Sequence, residues 1–139
     1  MANRGLPALE RVPLFEGLSR RHLKRIQDLA VEARYMQGVS IVKQGQAGDG
    51  FYVILEGQAK VTRGSRTVTR LVPGDFFGEI SLLDGGKRTA SVVSETPMVL
   101  LELKQRAFQR LLRDDPEVAL KLMEALARRV RRTERTLQD

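Results

Sequence analysis

Residues 51–72 read FYVILEGQAKVTRGSRTVTRLV, and this stretch decides the fold. It contains three short runs rich in Val, Ile, Tyr and Thr, and a turn with a glycine separates each run from the next. Such side chains favour extended strands, and glycine permits the turns between them. The turn at Arg63–Arg66 joins two of the runs as a hairpin. The stretch therefore predicts successive short strands joined by tight turns.

The same pattern extends over residues 32–103. Many short strands with regular turn signals indicate a sandwich or barrel, and no helical pattern alternates with them, which disfavours a parallel doubly wound sheet. The strands predicted are Ser40–Lys43, Phe51–Glu56, Gln58–Arg63, Thr67–Val72, Ala90–Ser94 and Met98–Glu102.

Helical periodicity appears on both sides of the β region. Ser19 is a typical N-cap, and apolar residues at spacings of three and four predict an amphipathic helix over residues 20–31. Later spacings predict helices over Gln105–Arg113 and from Pro116 to about Gln138. Asp114-Asp115-Pro116 between them has the acidic cap and the first-position proline of a helix start.

Length and composition indicate one domain of 139 residues: a helical lead-in at 1–31, a β roll at 32–103 and C-terminal helices at 104–139. The absence of Cys and the single His exclude a disulfide scaffold, a thiolate metal site and a multi-histidine metal site. No apolar run reaches the roughly 18 residues of a membrane span, so we expect a cytoplasmic protein.

The formal net charge of +7 is unevenly distributed. Residues 1–35 hold seven basic and four acidic groups, residues 36–120 hold eleven and ten, and residues 121–139 hold six and three. A basic chain raises nucleic acid as a partner, but charge informs about association rather than fold. Because the excess lies on the flanking helices, it fits a solvated face or a docking surface.

The last predicted helix carries an apolar seam. Its members alternate at spacings of four and three, an a/d pattern of about three heptads. Two interpretations are open: the seam packs on its own β domain, or it pairs with a second copy and makes a homodimer. The seam residues are Ala119, Met123, Leu126, Val130, Thr133 and Leu137.

The segment from Gly74 to Val92 combines glycines with charged and hydroxyl residues, a mixture that strands and turns do not require. Gly78–Leu83 can form one short helical turn, whose free amides favour an anion. Arg88 can add a planar donor fork, and Glu79 can accept hydrogen bonds from sugar hydroxyls. On spacing alone, a ribose phosphate site and a Glu79–Arg88 salt bridge that staples a loop are both open.

Phe77-Gly-Glu-Ile-Ser-Leu-Leu and Arg88-Thr-Ala-Ser-Val resemble the phosphate-binding cassette of cyclic nucleotide-binding domains. Other stretches follow the order of that family, and together they cover roughly residues 12–136. The resemblance implies an antiparallel jelly roll of eight strands with helices at both ends. The further matching stretches are Val12–Ser19, Gly45, Phe51–Gly57 and Pro73–Asp75.

The resemblance also implies roles for individual residues. Glu79 would hold the ribose 2′-hydroxyl, and Arg88 would pair with the cyclic phosphate. Val61 and Val68 match positions of the pocket wall. The phosphate cradle would be completed by the hydroxyl of Thr89 and the amides of Gly78, Ile80, Ser81 and Ala90.

The C-terminal part resembles the bacterial catabolite-activator (Crp/Fnr) branch of this family. Phe108, Asp115-Pro116 and Ala127–Thr133 follow the long dimerisation helix of that branch. In this alignment three residues occupy positions that contact the base of the nucleotide: Arg129, Val130 and Thr133.

Three residues depart from the pattern of the family. Glu134 replaces a small hydroxyl residue, which bears on base contact across the dimer. Ser81 and Thr89 differ from the commonest small residues of the cassette. A hydroxyl at Thr89 is compatible with either purine, because it can meet the 2-amino group of a syn guanine.

The resemblance implies a non-enzymatic sensor without a metal, with cAMP as the preferred ligand and cGMP as the alternative. Nucleotide binding would order the C-terminal helix and change the dimer or the output. A second hypothesis is the effector part of a Crp/Fnr-type transcription regulator. Its helix-turn-helix would begin where this chain stops, so we expect no direct DNA binding. A third, a dimerisation module that has lost its ligand, is disfavoured by the presence of Glu79 and Arg88.

Overall fold

The structure is a computed structural model that describes residues 9–11, 15, 17–48, 50–78 and 87–138; for residues 129, 130 and 132–138 it describes the backbone alone. The structure gives bounds for three helices and eight strands. The helices are α1 (Arg20–Leu29), α2 (Gln105–Asp114) and α3 (Pro116–Gln138). The strands are β1 (Val31–Tyr35), β2 (Ser40–Val42), β3 (Gly50–Glu56), β4 (Ala59–Arg63), β5 (Arg66–Leu71), β6 (Phe76–Phe77), β7 (Ser91–Ser94) and β8 (Met98–Lys104).

The strands form two four-stranded sheets with the orders β1-β8-β3-β6 and β2-β7-β4-β5. Every strand pair within them is antiparallel. The predicted fold class, mainly antiparallel β with flanking helices, is confirmed. The predicted hairpin at Arg63–Arg66 is confirmed as well, because these two residues pair at the end of β4 and β5.

Two strands escaped the sequence prediction. β1 is mostly exposed, and Glu32 and Arg34 interrupt its apolar and aromatic residues, so it lacks a continuous apolar run. β6 is only two residues long. The predicted helix over residues 20–31 is also too long, because the backbone is already extended at Ala30, where φ is −88° and ψ is 153°. Its predicted start is confirmed, since the Ser19 hydroxyl accepts from the His22 amide at 3.2 Å.

β3 is buried on both faces, which explains its continuous apolar sequence. Phe51 and Val53 belong to a core that the helices complete, and the Phe51 ring stacks on Phe108 of α2 with centroids 5.1 Å apart. Tyr52 and Ile54 point the other way into a second core, which β4 and β7 complete. The strand therefore connects the helical layer to the β roll.

The junction of α2 and α3 is tied to α1 by charged side chains. Arg25 Nη2 lies 2.8 Å from Asp114 Oδ2, and Arg25 Nε lies 2.9 Å from Asp115 Oδ2. His22 Nδ1 lies 3.1 Å from Glu117 Oε2. The acidic pair expected to cap α3 thus also holds α1, and the Asp115 side chain is only 12% exposed.

The face of α3 that packs on the domain differs from the predicted seam. Val118, Leu122 and Ala125 are buried in the helical core, whereas Met123 of the seam is 60% exposed. Ala119 and Leu126 are half-buried at the border between the two faces. The side chains of the other three seam residues, Val130, Thr133 and Leu137, lie outside the described part of α3.

Asp115→Ala is expected to lower the free energy of unfolding by about 1–3 kcal/mol. The substitution removes the more buried of the two carboxylates that pair with the half-buried Arg25. Urea-induced unfolding in the absence of nucleotide measures this loss. Asp28→Ala, which removes an exposed carboxylate of α1, is the matched control and is expected to change stability by less than about 0.5 kcal/mol. Equal stabilities of the two variants would contradict the role given to the ion pairs.

Candidate functional site

Arg88 is the central residue of the candidate site. It is only 6% exposed. Its Nη1 donates to the carbonyl oxygen of Gly78 at 2.9 Å, and its Nη2 donates to the carbonyl oxygen of Gly50 at 2.8 Å. Its Nε is buried and has no hydrogen-bond partner among the described residues. The guanidinium is therefore held in place while part of its donor capacity is unused.

The backbone around Arg88 is fixed by the loop that precedes β3. The Gly45 amide donates to the Arg88 carbonyl at 2.8 Å, and the Arg88 amide donates to the Gln46 carbonyl at 2.8 Å. An isolated antiparallel bridge joins Ala47 to Lys87 next to them. These bonds set the direction of the Arg88 side chain before β7 begins.

Gly78 requires glycine for two reasons. Its φ is +97°, a conformation that residues with a Cβ rarely adopt. A Cβ there would also lie 2.5 Å from the Gly50 carbonyl oxygen and 3.0 Å from Arg88 Nη1. Since Gly78 directly follows β6, which pairs with β3, the sheet brings the carbonyls of Gly78 and Gly50 to the two terminal nitrogens of one guanidinium.

The electrostatics of Arg88 favour an anion. A guanidinium remains protonated when buried and offers five N–H donors. Among the residues that the structure describes, Arg88 has two carbonyl partners and forms no ion pair with a carboxylate. Carbonyl dipoles compensate a buried charge only in part, since burial without a counter-ion costs free energy. A positive charge held in this way favours a small oxyanion as its ligand.

The structure brings together only some of the predicted site residues. Gly78 and Arg88 are in direct contact. Thr89 is exposed and Ala90 half-buried, on the segment that leads into β7. Glu79, Ile80 and Ser81 lie outside the described residues, and so does the Glu79–Arg88 salt bridge that was the alternative interpretation. Arg129, Val130 and Thr133 belong to α3, but the structure describes only their backbone.

The two predicted wall residues lie on neighbouring strands. Val61 of β4 is half-buried against the second core, while Val68 of β5 is 54% exposed. Val61 pairs with Thr69 and Thr62 pairs with Thr67, so Val68 is the extra residue of a β-bulge. An exposed valine at a bulge is a suitable apolar surface for a ligand.

A polar cluster fixes the hairpin that carries both valines. The Glu95 carboxylate accepts from Gln58 Nε2 at 2.9 Å and from Arg70 Nε at 3.0 Å. The hydrogen bond from Gln58 lowers the pKa of the Glu95 carboxyl most. The hydrogen bond from Arg70 and the positive charge of Arg70 lower this pKa further. Because Arg70 is on β5 and Glu95 follows β7, the cluster ties the outer hairpin to the sheet.

Gly48 and Gly50 are site residues that the sequence interpretation missed. Gly50 supplies a carbonyl to Arg88, and Gly48 lies against its guanidinium. Spacing alone could not reveal this, because Arg88 is about forty residues away along the chain. In the described ranges, no group of three or more acidic or histidine side chains could hold a metal. No described helix is long and apolar enough to cross a membrane.

Comparison with known proteins identifies the family. Residues 32–115 match the family described as "Cyclic nucleotide-binding domain". The chain belongs to this family. The predicted resemblance is confirmed, and the loop between β2 and β3, the segment from Gly78 to Arg88 and β7 all lie within the match.

Relatives include both bacterial regulators and kinase subunits. The chain is 29% identical over 136 residues to the "CRP-like cAMP-activated global transcriptional regulator" of Mycobacterium tuberculosis, covering 94% of this chain and 61% of the relative. It is 37% identical over 106 residues to a cAMP-dependent protein kinase regulatory subunit of Colletotrichum orbiculare, covering 75% and 27%. The chain thus spans less than two thirds of either relative.

A solved structure supports the architecture. The catabolite activator protein of Thermus thermophilus superposes with a TM-score of 0.83 at 36% identity, over 91% of this chain and 62% of that one. The jelly roll with flanking helices is therefore the fold of this chain.

Gly78→Ala is expected to destabilise the protein more than Gly64→Ala does. Gly64 also has a positive φ, of +59°, but a Cβ there meets nothing within 4 Å. Backbone strain alone should cost Gly64→Ala about 1–2 kcal/mol, and overlap with the Gly50 carbonyl should cost Gly78→Ala about 1–3 kcal/mol more. Urea-induced unfolding compares the two, and equal losses would be inconsistent with the close approach at Gly78.

Proposed function

We propose that this chain is a non-catalytic cytoplasmic sensor that binds a cyclic nucleotide, preferably cAMP, and converts binding into a change of its C-terminal helix. The observation that carries the proposal is the buried Arg88 guanidinium, whose Nε has no partner among the described residues. Within a cyclic nucleotide-binding domain, this unused donor is suited to the cyclic phosphate.

The chemistry of the ligand matches the site. A cyclic phosphodiester carries a single negative charge on two free oxygens, and a guanidinium can bind such a pair through parallel N–H bonds. The amides of Gly78, Ile80, Ser81 and Ala90 and the Thr89 hydroxyl would complete the cradle. Glu79 would accept from the ribose 2′-hydroxyl, which distinguishes a ribonucleotide from other phosphates.

The preference for cAMP rests on relatives and on the residues around the base. The relative from Mycobacterium tuberculosis is named as cAMP-activated, and a relative from Thermus thermophilus is named "Cyclic AMP receptor protein". Val61 and Val68 would form an apolar wall in the pocket. The exposed Thr89 hydroxyl leaves cGMP as the alternative, because it can reach a guanine 2-amino group.

The coupling would act through α3. This helix packs on the core that contains Phe51, one residue after the carbonyl that holds Arg88. Nucleotide can shift the population of α3 positions only if it binds one position more tightly. Base contacts from Arg129, Val130 and Thr133 would supply that difference in affinity.

We also propose that α3 pairs with a second copy of the chain. Met123 is 60% exposed on the side of α3 that does not pack on the domain. Together with Ala119, Leu126 and the following seam residues it would form an apolar strip suited to a coiled-coil contact.

A second candidate function is the effector part of a DNA-binding transcription regulator. It is favoured by the relative from Mycobacterium tuberculosis, which is named as such a regulator and of which this chain spans 61%. A gel shift distinguishes the two functions. We expect no sequence-selective binding of DNA by this chain, and salt-sensitive, selective binding would favour the second candidate.

Arg88→Ala is expected to weaken cAMP binding by about 2–5 kcal/mol, because a buried charge that pairs with the phosphate is lost. Titration calorimetry with cAMP and cGMP side by side measures the loss and also establishes the purine preference. Arg106→Ala, which truncates an exposed arginine of α2, is the matched control and should bind as the parent does. Unchanged affinity of Arg88→Ala would refute the phosphate assignment.

Met123→Asp is expected to shift the protein toward monomer in sedimentation velocity, because a carboxylate would be buried in the seam. Leu120→Asp is the control: Leu120 is 51% exposed on the same helix but is not part of the seam. A parent that is monomeric at all concentrations, or an equal effect of the two variants, would exclude the seam as the dimer interface.

A further inference from the structure

Gly48 is a glycine that the backbone does not require. Its φ lies outside the left-handed region, unlike that of seven other glycines in the described residues. An alanine there would not meet the strain that a positive φ imposes. The reason for glycine at this position therefore lies in the space around it.

That space is occupied by Arg88. A Cβ on Gly48 would lie 2.0 Å from Arg88 Nε, 2.1 Å from Cζ and 2.4 Å from Nη2. Three atoms of the guanidinium thus lie where an alanine methyl would be, against the bare Cα of the loop. The same guanidinium bonds through Nη2 to the carbonyl of Gly50 and through Nη1 to the carbonyl of Gly78.

We propose that Gly48 is a positioning residue for recognition of the anion: its missing side chain lets the Arg88 guanidinium lie against the loop in the orientation that the carbonyls of Gly50 and Gly78 hold. This inference rests on the proposed function. Gly48 does not touch the ligand in this proposal and acts only through Arg88.

A methyl group on residue 48 would force either the loop or the Arg88 side chain to move. The Gly45–Ala47 backbone is bonded to the backbone of Arg88 and Lys87, whereas the arginine side chain is long and has several rotatable bonds. The guanidinium would therefore shift rather than the loop. It would lose the geometry of its bonds to Gly50 and Gly78, and its donors would point away from the phosphate. Affinity should suffer while the fold is retained.

A double-mutant cycle tests this relation. Gly48→Ala is expected to weaken cAMP binding by about tenfold to hundredfold in calorimetry, the scale for a charged group displaced by about 1 Å. In the background of Arg88→Lys the same change should cost less than about twofold, because the single ammonium of lysine has no planar group to displace. The melting temperature without nucleotide should stay within a few degrees of the parent.

A second measurement does not depend on binding. The Nε–H resonance of Arg88 in a ¹⁵N-labelled protein can be assigned by its disappearance in Arg88→Lys. Gly48→Ala should move this resonance in the absence of any nucleotide, because the methyl group changes the surroundings of Nε directly.

The outcomes separate this inference from the proposed function. If Arg88→Ala abolishes cAMP binding but Gly48→Ala leaves the affinity and the Nε–H resonance unchanged, the positioning role is wrong and the proposed function stands. If Gly48→Ala weakens binding equally in the parent and in Arg88→Lys, Gly48 acts on the loop itself, and the inference is again overturned. If Arg88→Ala binds cAMP normally, both fail.

Discussion

The burial of one guanidinium between two backbone carbonyls organises this molecule. Arg88 is charged, nearly inaccessible and bonded to Gly50 and Gly78, which belong to different segments of the chain. A buried cation is tolerated only where its donors find acceptors, so the loop before β3 and the turn after β6 have to meet at this point. Nε has no partner among the described residues, and the proposed phosphate would supply the missing counter-charge. The proposed recognition of the ligand would thus use a group that the fold itself holds in place.

β3 joins that group to the helices. The strand begins at Gly50, whose carbonyl holds Arg88, and the next residue, Phe51, stacks on Phe108 of α2. Its alternate residues Tyr52 and Ile54 fill the other core, so displacing the strand would disturb both layers. The residue that holds the guanidinium, Gly50, and the residue that packs on the helical layer, Phe51, are therefore joined by a single peptide bond. No long path through the roll is needed to connect them.

The sequence predicted the strands and helices whose periodicity is strong, and it missed those decided by their surroundings. The apolar run from Phe51 and the hairpin at Arg63–Arg66 can be recognised from the local sequence. β1, in contrast, is a strand because it pairs with β8 at the edge of the sheet. Within the site, Arg88 was predicted from its motif. Its contacts with Gly48 and Gly50 were not, because they arise from packing between segments distant in sequence. The roles of Glu79, Ile80 and Ser81 stay predictions.

The ion pairs between α1 and the α2–α3 junction have a consequence for engineering. Arg25 forms ion pairs with both Asp114 and Asp115, so α1 is anchored to the residues that directly precede α3. Under the proposed coupling through α3, fluorescent reporters fused to α1 and to α3 would be attached to one unit and would respond together. A reporter pair that measures distance should therefore place one partner in the β roll, for example at the exposed β4–β5 hairpin. Since the Arg25 side chain is 40% exposed, the signal of such a device would also vary with ionic strength.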